Sequence, residues 1–558
     1  MQDRVGEAAT AGGGTDGDVD VEVLVIGAGV TGLYALYRAR EDGFSTVLLE
    51  AGDGVGGTWY WNRYPEARFD SESWTYAYVF SKELFCDWEW SERFAGQPEI
   101  ERYFQRFVES FDLAPLIQLG TRVASVVWDA ASGTWSVTAT DGRRWRARYV
   151  VAATGMLSYP YVPDVPGRDD FRGESHHTGQ WPAEGVDVTG RRVAVIGTGS
   201  SGVQVIPPIA AEAAELVVYQ RTPNWCTPLN NAPISAEEQQ ALRDDFERIQ
   251  RTLNTSATGF MVPPPSLRSS AHSAEERQEF FEMMWNSPGF AKLLSNYKDL
   301  LSSTEVNREW CEFIAAKVRS IVHDPVTADR LIPTDHRYGE KRPPFVTGYF
   351  EVFNEPHVSL VSLTETPILQ ITETGIATSE GHREFDVIVW ATGFDYGTGH
   401  LRRLGVRGVD GEPLEEHWAE GPITYLGVQT TGFPNFFFPG GPHGASANVP
   451  RYNTDQVDYV ADLLVAMREQ GHRVVDVPAE LEQSFTDMID TMARHVPFTS
   501  ISYFYGSNIP GKPVKNLLNP GGRPMLFQFI EEQRAEGYRS LVFDPDPAGA
   551  TDAAGAVS

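Results

Sequence analysis

Cysteine is scarce in this chain. Only Cys86, Cys226 and Cys311 occur in 558 residues, far apart and without a Cys-x-x-Cys pair. That excludes a disulfide framework, a structural zinc site and a dithiol redox centre, and it suits a reducing compartment, so a cytoplasmic protein is expected. Positive charge is short as well: 46 Lys and Arg face 76 Asp and Glu, a formal net charge of −30. Non-specific nucleic-acid binding needs a basic face and docking on anionic membrane needs basic clusters, so neither partner is expected. No apolar run approaches the roughly 20 residues of a membrane span. The opening MQDRVGEAATAGGGTDGDVD lacks the apolar stretch of a secretion signal. It and the closing DPDPAGATDAAGAVS read as flexible tails.

What the chain does contain is apolar and aromatic mass. Hydrophobic residues make up 41%, with 30 Phe, 21 Tyr and 14 Trp, enough for two or three cored domains and for pockets that hold rings or hydrocarbons. Two segments share one pattern. VEVLVIG enters Gly27-x-Gly29-x-x-Gly32, then a helix-period stretch, then TVLLE ending at Glu50. RRVAVIG enters Gly197-x-Gly199-x-x-Gly202, beginning a helix at Ser200 that Pro207-Pro208 should end or kink, then ELVVYQ. Each is strand, tight turn, helix and strand, the context in which the glycines let a backbone and a helix N-terminus meet a pyrophosphate. Two further apolar runs, YVVAATG ending at Gly155 and FDVIVWATGFD around Gly393, close in Ala-Thr-Gly. Such segments allow close approach to a cofactor or passage between domains.

The ends of the second strands separate the two ligands. Glu50 accepts hydrogen bonds from a free ribose hydroxyl and repels a 2′-phosphate. The matching place in the second unit holds Gln220-Arg221-Thr222, with no acid, and a guanidinium suits a 2′-phosphate. NADPH is therefore expected at the second site and FAD at the first; a solvated surface charge is the other reading of Arg221. From Ile234 to Ile332 the texture turns helical: SAEEQQALRDDFERIQRTL and SAEERQEFFEMMW each open on Ser with a nearby Glu.

Together these segments predict an α/β fold of two Rossmann-like dinucleotide-binding domains with a helical insertion. The FAD domain covers 21–155 and 393–543 and the NADPH domain 156–233 and 333–392. The insertion covers 234–332, and the tails are 1–20 and 544–558.

Between the two glycine motifs lies Phe171-Arg-Gly173-Glu-Ser-His-His177-Thr-Gly-Gln-Trp181-Pro182. This resembles the fingerprint of the type I Baeyer–Villiger monooxygenases, FxGxxxHxxxW followed by Pro, and the resemblance runs over about residues 20 to 543. It implies FAD contacts from Gly57, Thr58, Trp59, Asp70, Tyr76, Val123 and Val449 beside the first glycine motif. It implies NADPH contacts from Ser200, Lys341 and Tyr503 beside Arg221 and Thr222. Glu340-Lys341-Arg342-Pro343 is similar to the segment carrying the family's active-site arginine. The sequence departs from the family at Glu66, where Gly is usual, at Phe69, where Cys is usual, and at Tyr503-Phe504, where Trp-Tyr is usual.

The activity so implied is insertion of one oxygen atom from O2 beside the carbonyl of a lipophilic ketone, cyclic or steroid-like, through a flavin C4a-peroxide. Arg342 is then the fixed cation that stabilises developing negative charge, and Asp70 orients it. His177 and Trp181 position the linker without acid–base chemistry, or His177 is simply packed. The aromatic-to-glycine stretch Phe436 to Pro450 either lines the substrate cavity or is a core strand and turn. A flavin N- or S-oxygenase is the nearest alternative, a non-catalytic flavin sensor a more distant one. The enzyme is expected as a monomer or weak homo-oligomer.

Overall fold

A computed structural model of the protein describes residues 19–444, 447–496 and 501–545. The expected tails fall almost wholly outside these residues. At their inner ends the boundaries shift: Asp20 pairs with the backbone of Arg146, and Asp544 accepts from the amides of Arg473 and Val474 at 2.9 Å each. A carboxylate that caps strand-edge amides is part of the fold, whatever its composition suggests.

Two sheets organise the chain. In the first, the buried strand Val21–Ile26 lies between Thr46–Leu49 and Arg144–Ala152, parallel to both. Ile117–Gln118 extends one side, and an antiparallel meander of Thr134–Ala139 and Val123–Asp129 extends the other. The second sheet is wholly parallel, in the order Val358–Ser362, Glu215–Gln220, Arg192–Ile196, Val387–Trp390, Glu174–His177. Its central strands read as unbroken apolar runs because both faces are covered.

In each sheet the chain leaves the glycine-motif strand outward and returns on that strand's other side. The glycine turn and an Ala-Thr-Gly segment therefore meet at the switch point, where open α/β sheets take their ligands. A Cβ at Gly27 would stand 2.7 Å from the Ala153 carbonyl, and one at Gly197 2.4 Å from that of Ala391. Both glycines sit at positive φ, +101° and +109°.

The helix after the second motif runs Ser200–Glu212, straight through Pro207 and Pro208, contrary to expectation. An interior proline costs about 3 kcal/mol. Burial of Val203, Val205, Ile206, Ile209 and Ala210 against the sheet is of the size needed to offset it.

The helical segment opens its main helices as the serines announce: Ser235 with Glu238 and Ser273 with Glu276 form reciprocal capping boxes. It does not belong to one unit. Phe246, Ile249 and Leu253 join the core of the first sheet, whereas Phe281, Trp310, Ile314 and Val318 join that of the second. The C-terminal helix Gly522–Ala535 packs on Val449–Gln470, where Arg523 pairs with Asp455 and Arg534 with Asp462.

Candidate active site

The two cradles are built alike. Glu50, at the end of its strand, accepts from the amides of Ala28 and Gly52 at 2.7 Å each, so it closes the first glycine turn from behind. Burial raises the Glu50 pKa, partly countered by those two amides. Each oxygen keeps a lone pair for a ribose hydroxyl. In the second unit Gln220 takes the equivalent place and accepts from the Thr198 hydroxyl at 3.3 Å.

Whether dinucleotides fit can be judged from the glycines. A Cβ at Gly32 would lie 1.8 Å from the Gly27 carbonyl, and one at Gly202 2.3 Å from that of Gly197; both glycines serve helix packing. A Cβ at Gly199 would meet nothing within 4 Å, so that turn faces open space at the start of the helix Ser200–Glu212. A Cβ at Gly29 would lie 3.4 Å from Gly57 Cα, and Gly57 leads into the short helix Thr58–Trp61, with Thr58 exposed. Bare backbone amides at a helix N-terminus, twice over, are the donor set that pyrophosphates take, and the residues fit both nucleotides.

Arg221 is exposed just beyond its strand and Thr222 is half-buried. Lys341 donates to Asp335 at 3.2 Å, and Asp335 also pairs with His336 at 2.6 Å. This acid beside the expected 2′-phosphate cations was not foreseen.

Between the cradles stands Arg342. Its guanidinium donates to both oxygens of Asp70, at 2.7 and 2.5 Å, and to the Ser200 hydroxyl at 3.2 Å. Asp70 belongs to the first unit and Ser200 opens the helix of the second, so one side chain ties the two. Burial opposes the Arg342 charge, but the Asp70 carboxylate outweighs it and holds the pKa above the ordinary arginine value. The cation also lies 5.5 Å over the ring of Phe290. Burial pushes the Tyr503 hydroxyl up to about 12, so it stays protonated and able to donate.

The stretch leading to Asp70 is held on both sides. The Trp59 indole donates to the Tyr76 hydroxyl at 2.9 Å, and Phe69 stacks on Tyr76 at 4.9 Å. The Tyr64 hydroxyl donates to Gln204 at 2.7 Å, and Gln204 donates to the Arg68 carbonyl, joining this stretch to the second unit. Glu66 adopts φ +64°, the left-handed region where glycine is free of strain, and pairs with Arg68. Val123 begins its strand and Val449 begins the helix Val449–Gln470; Asn448, just before it, donates to the Thr75 carbonyl next to Tyr76.

The fingerprint residues lie at the crossing between the units. Phe171 folds over Gly173, where a Cβ would strike both that ring and the Asp386 carbonyl. Trp181 is buried in the second core with Tyr64 and Ala67, its amide donating to the Trp61 carbonyl, and Pro182 follows half-buried. His177 Nδ1 accepts from the Gly179 amide at 2.9 Å. Burial lowers the His177 pKa to about 4, despite the backbone of Gly393 and Tyr161 close by. The ring is therefore neutral throughout the working range and has no proton to lose as pH rises. His177→Gln is accordingly expected to keep the shape of the pH–rate profile between about pH 6 and 9, even if the rate falls. Loss of an inflection near neutrality would restore an acid–base role.

Three residues at the site went unread in the sequence: Phe290, Tyr396 and Asp335. Tyr396 follows Ala-Thr-Gly-Phe-Asp directly and could have been found there; Phe290 comes from the helical insertion, in a Pro-Gly break that marks only a turn. Of the two readings of the aromatic run, the structure bears out the core strand: Phe436, Phe437 and Phe438 are fully buried, and Phe436–Phe437 pair with Arg144–Ala152.

Fold and site thus define an α/β enzyme with two dinucleotide cradles sharing one acid-held arginine. The family model for flavin-binding monooxygenase-like proteins matches residues 20–231. The 2-oxo-Δ3-4,5,5-trimethylcyclopentenylacetyl-CoA monooxygenase of Pseudomonas putida is 42% identical over 84% of this chain and 88% of its own. The phenazine N-monooxygenase PhzNO1 of Lysobacter antibioticus is 37% identical over 94% and 98%. A Baeyer–Villiger monooxygenase of Pseudooceanicola batsensis is 35% identical over 94% and 96%. The crystal structure of OTEMO in complex with FAD and NADP superposes with a TM-score of 0.90 at 39% identity, covering 94% of this chain and 99% of that one. The chain belongs to the flavin-binding monooxygenases of the Baeyer–Villiger type.

Proposed function

We propose that this enzyme uses FAD, NADPH and O2 to convert lipophilic ketones, cyclic or steroid-like, into esters or lactones. The balance is ketone, O2, NADPH and a proton in, and ester, NADP+ and water out. The observation that carries this reading is the Arg342 guanidinium, fixed by Asp70 and reaching Ser200 at the junction of the two cradles. FAD, reduced by NADPH, supplies the activation of O2.

The chain's own residues do the rest. The cradle at Gly27, Gly29, Gly32 and Glu50 holds FAD; the cradle at Gly197, Gly199 and Gly202 holds NADPH, with Arg221, Thr222 and Lys341 taking its 2′-phosphate. Arg342 cannot deprotonate at working pH, so it offers constant positive charge to an oxygen that becomes negative as the carbonyl is attacked. Asp70 fixes the fork so that this charge needs no reorganisation. Phe290, Tyr396 and Tyr503 crowd it, so that its side chain is only 25% exposed and water near it is reduced. The three cysteines, none of them paired, suit a cytoplasmic enzyme, active as a monomer or weak homo-oligomer.

A second reading has one specific support, the phenazine N-oxygenating relative. A panel of cyclic aliphatic, aryl and steroid ketones, run beside amines and thioethers, separates the two. Ketone-stimulated NADPH oxidation with one ester formed per NADPH is expected. N- or S-oxides formed while every ketone is left intact would overturn the proposal.

A further inference from the structure

The late segment 501–517 carries a charge that the chemistry above does not use. The Lys512 side chain is 4% exposed, and its partner Asp395 is 3% exposed. The ammonium donates to Asp395 Oδ1 at 2.5 Å and to the Tyr396 carbonyl at 2.7 Å. Four residues earlier, the Asn508 amide donates to the Phe394 carbonyl at 2.9 Å. Three successive residues, 394 to 396, are thus gripped by one loop.

Those residues are a chain crossing between the units. Residues 156–161 run antiparallel beside them, with the Tyr161 amide on the Gly393 carbonyl, that of Asp395 on Tyr159 and that of Gly397 on Met156. The grip is built into the loop's shape. Gly506 has φ +74°, and a Cβ there would lie 2.9 Å from Lys512 Cε, so only glycine lets the lysine cross its own loop to reach Asp395. At the loop's near end, Tyr503 packs edge-on against Tyr396, centroids 5.2 Å apart, and both rings neighbour Arg342.

We infer that Lys512 is a positioning residue: its bond to Asp395 latches the late loop onto the crossing segment, and the latch keeps Tyr503 and Tyr396 packed around Arg342. A flexible surface tie would serve poorly here, because exposed ion pairs contribute little and yield to water. A buried pair gives geometry more than stability, since an apolar pair of equal volume is often as stable. It sets register: the ammonium must meet one carboxylate and one carbonyl at once, so the loop docks in a single place.

The role rests on the reading of Arg342 above, and the test keeps the two apart. Lys512→Met preserves length and packing, and Arg403 remains on the other Asp395 oxygen at 2.6 Å, so the acid is not stranded and the protein should fold. In the flavin-loaded enzyme without ketone, amide hydrogen exchange over 503–517 should quicken by about tenfold or more. Exchange in the strands Val21–Ile26 and Arg192–Ile196 should not change. With ketone, the share of NADPH electrons released as H2O2, one per NADPH, should rise several-fold as more water reaches Arg342, whose side chain is 25% exposed with the loop latched. Lys512→Arg should restore both. Unchanged loop exchange in Lys512→Met, or quickened exchange with unchanged H2O2 release, would overturn the inference. If the methionine variant does not fold, Asn508→Ala loosens the same grip and must quicken the same amides. The exchange measurement needs no ketone turnover, so it stands even if no ketone is oxygenated.

Discussion

Arg342→Ala is expected to be reduced by NADPH within a few-fold of the parent rate and to form ester roughly 10²–10³ times more slowly. The separation follows from what the side chain touches. Reduction needs two nucleotides in their cradles, and the glycines, Glu50 and Gln220 that shape those cradles make no bond to the guanidinium, which touches the second cradle only through the Ser200 hydroxyl. Oxygenation needs a positive charge that is in place before the carbonyl oxygen becomes negative. Asp70, 18% exposed, can be rehydrated when its partner leaves, so the loss should show in rate rather than in folding. Two companions grade the effect. In Asp70→Ala the charge remains but is free to turn, and a smaller loss of about tenfold is expected. Arg342→Lys keeps a charge but cannot span both Asp70 oxygens and Ser200 together, and should fall between. Anaerobic bleaching of the flavin band by NADPH reads the first step, and chromatographic ester yield reads the second. Full ester yield from Arg342→Ala would remove the guanidinium from the chemistry.

The parts of this site that were legible in the sequence are those built from neighbours along the chain. Each glycine turn, its strand and its helix N-terminus lie within about thirty residues, so spacing alone displays them. Contacts between distant segments were not legible in that way. Asp70 and Arg342 are 272 residues apart, and only the family resemblance joined them before the structure did. The bond from Arg342 to Ser200, and Phe290 beneath the cation, need the two units and the insertion to be packed before they exist at all. Local rules also lost to packing. The prolines at 207 and 208 forbid a helix by propensity, and the sheet beneath keeps one. Phe436 to Phe438 read equally well as pocket wall or core, because an apolar aromatic run has the same pattern in either place.

Gly199→Ala should leave the folded protein almost unchanged and raise the KM for NADPH roughly 10- to 100-fold, the worth of one or two hydrogen bonds to a charged group. Two glycines three residues apart have opposite surroundings. Gly199 sits at φ −77° and ψ −170°, extended backbone open to alanine, and a Cβ there has no neighbour within 4 Å. As the residue capping the helix Ser200–Glu212 it can be exchanged at a cost of at most about 1 kcal/mol. The only thing such a methyl can obstruct is something arriving from outside, and the pyrophosphate of the second nucleotide is what the bare amides there would receive. Gly202 is the opposite case. Its Cβ would stand 2.3 Å from the Gly197 carbonyl, so Gly202→Ala must push the helix off its strand and should lower the unfolding midpoint and the soluble yield. Flavin content should be normal in Gly199→Ala, because the first cradle is untouched. Thermal unfolding, flavin absorbance and NADPH titration on the two variants together decide the matter. A Gly199→Ala enzyme with an unaltered KM would mean that the pyrophosphate does not enter over this turn. The second cradle would then be a structural turn that only looks like a binding site.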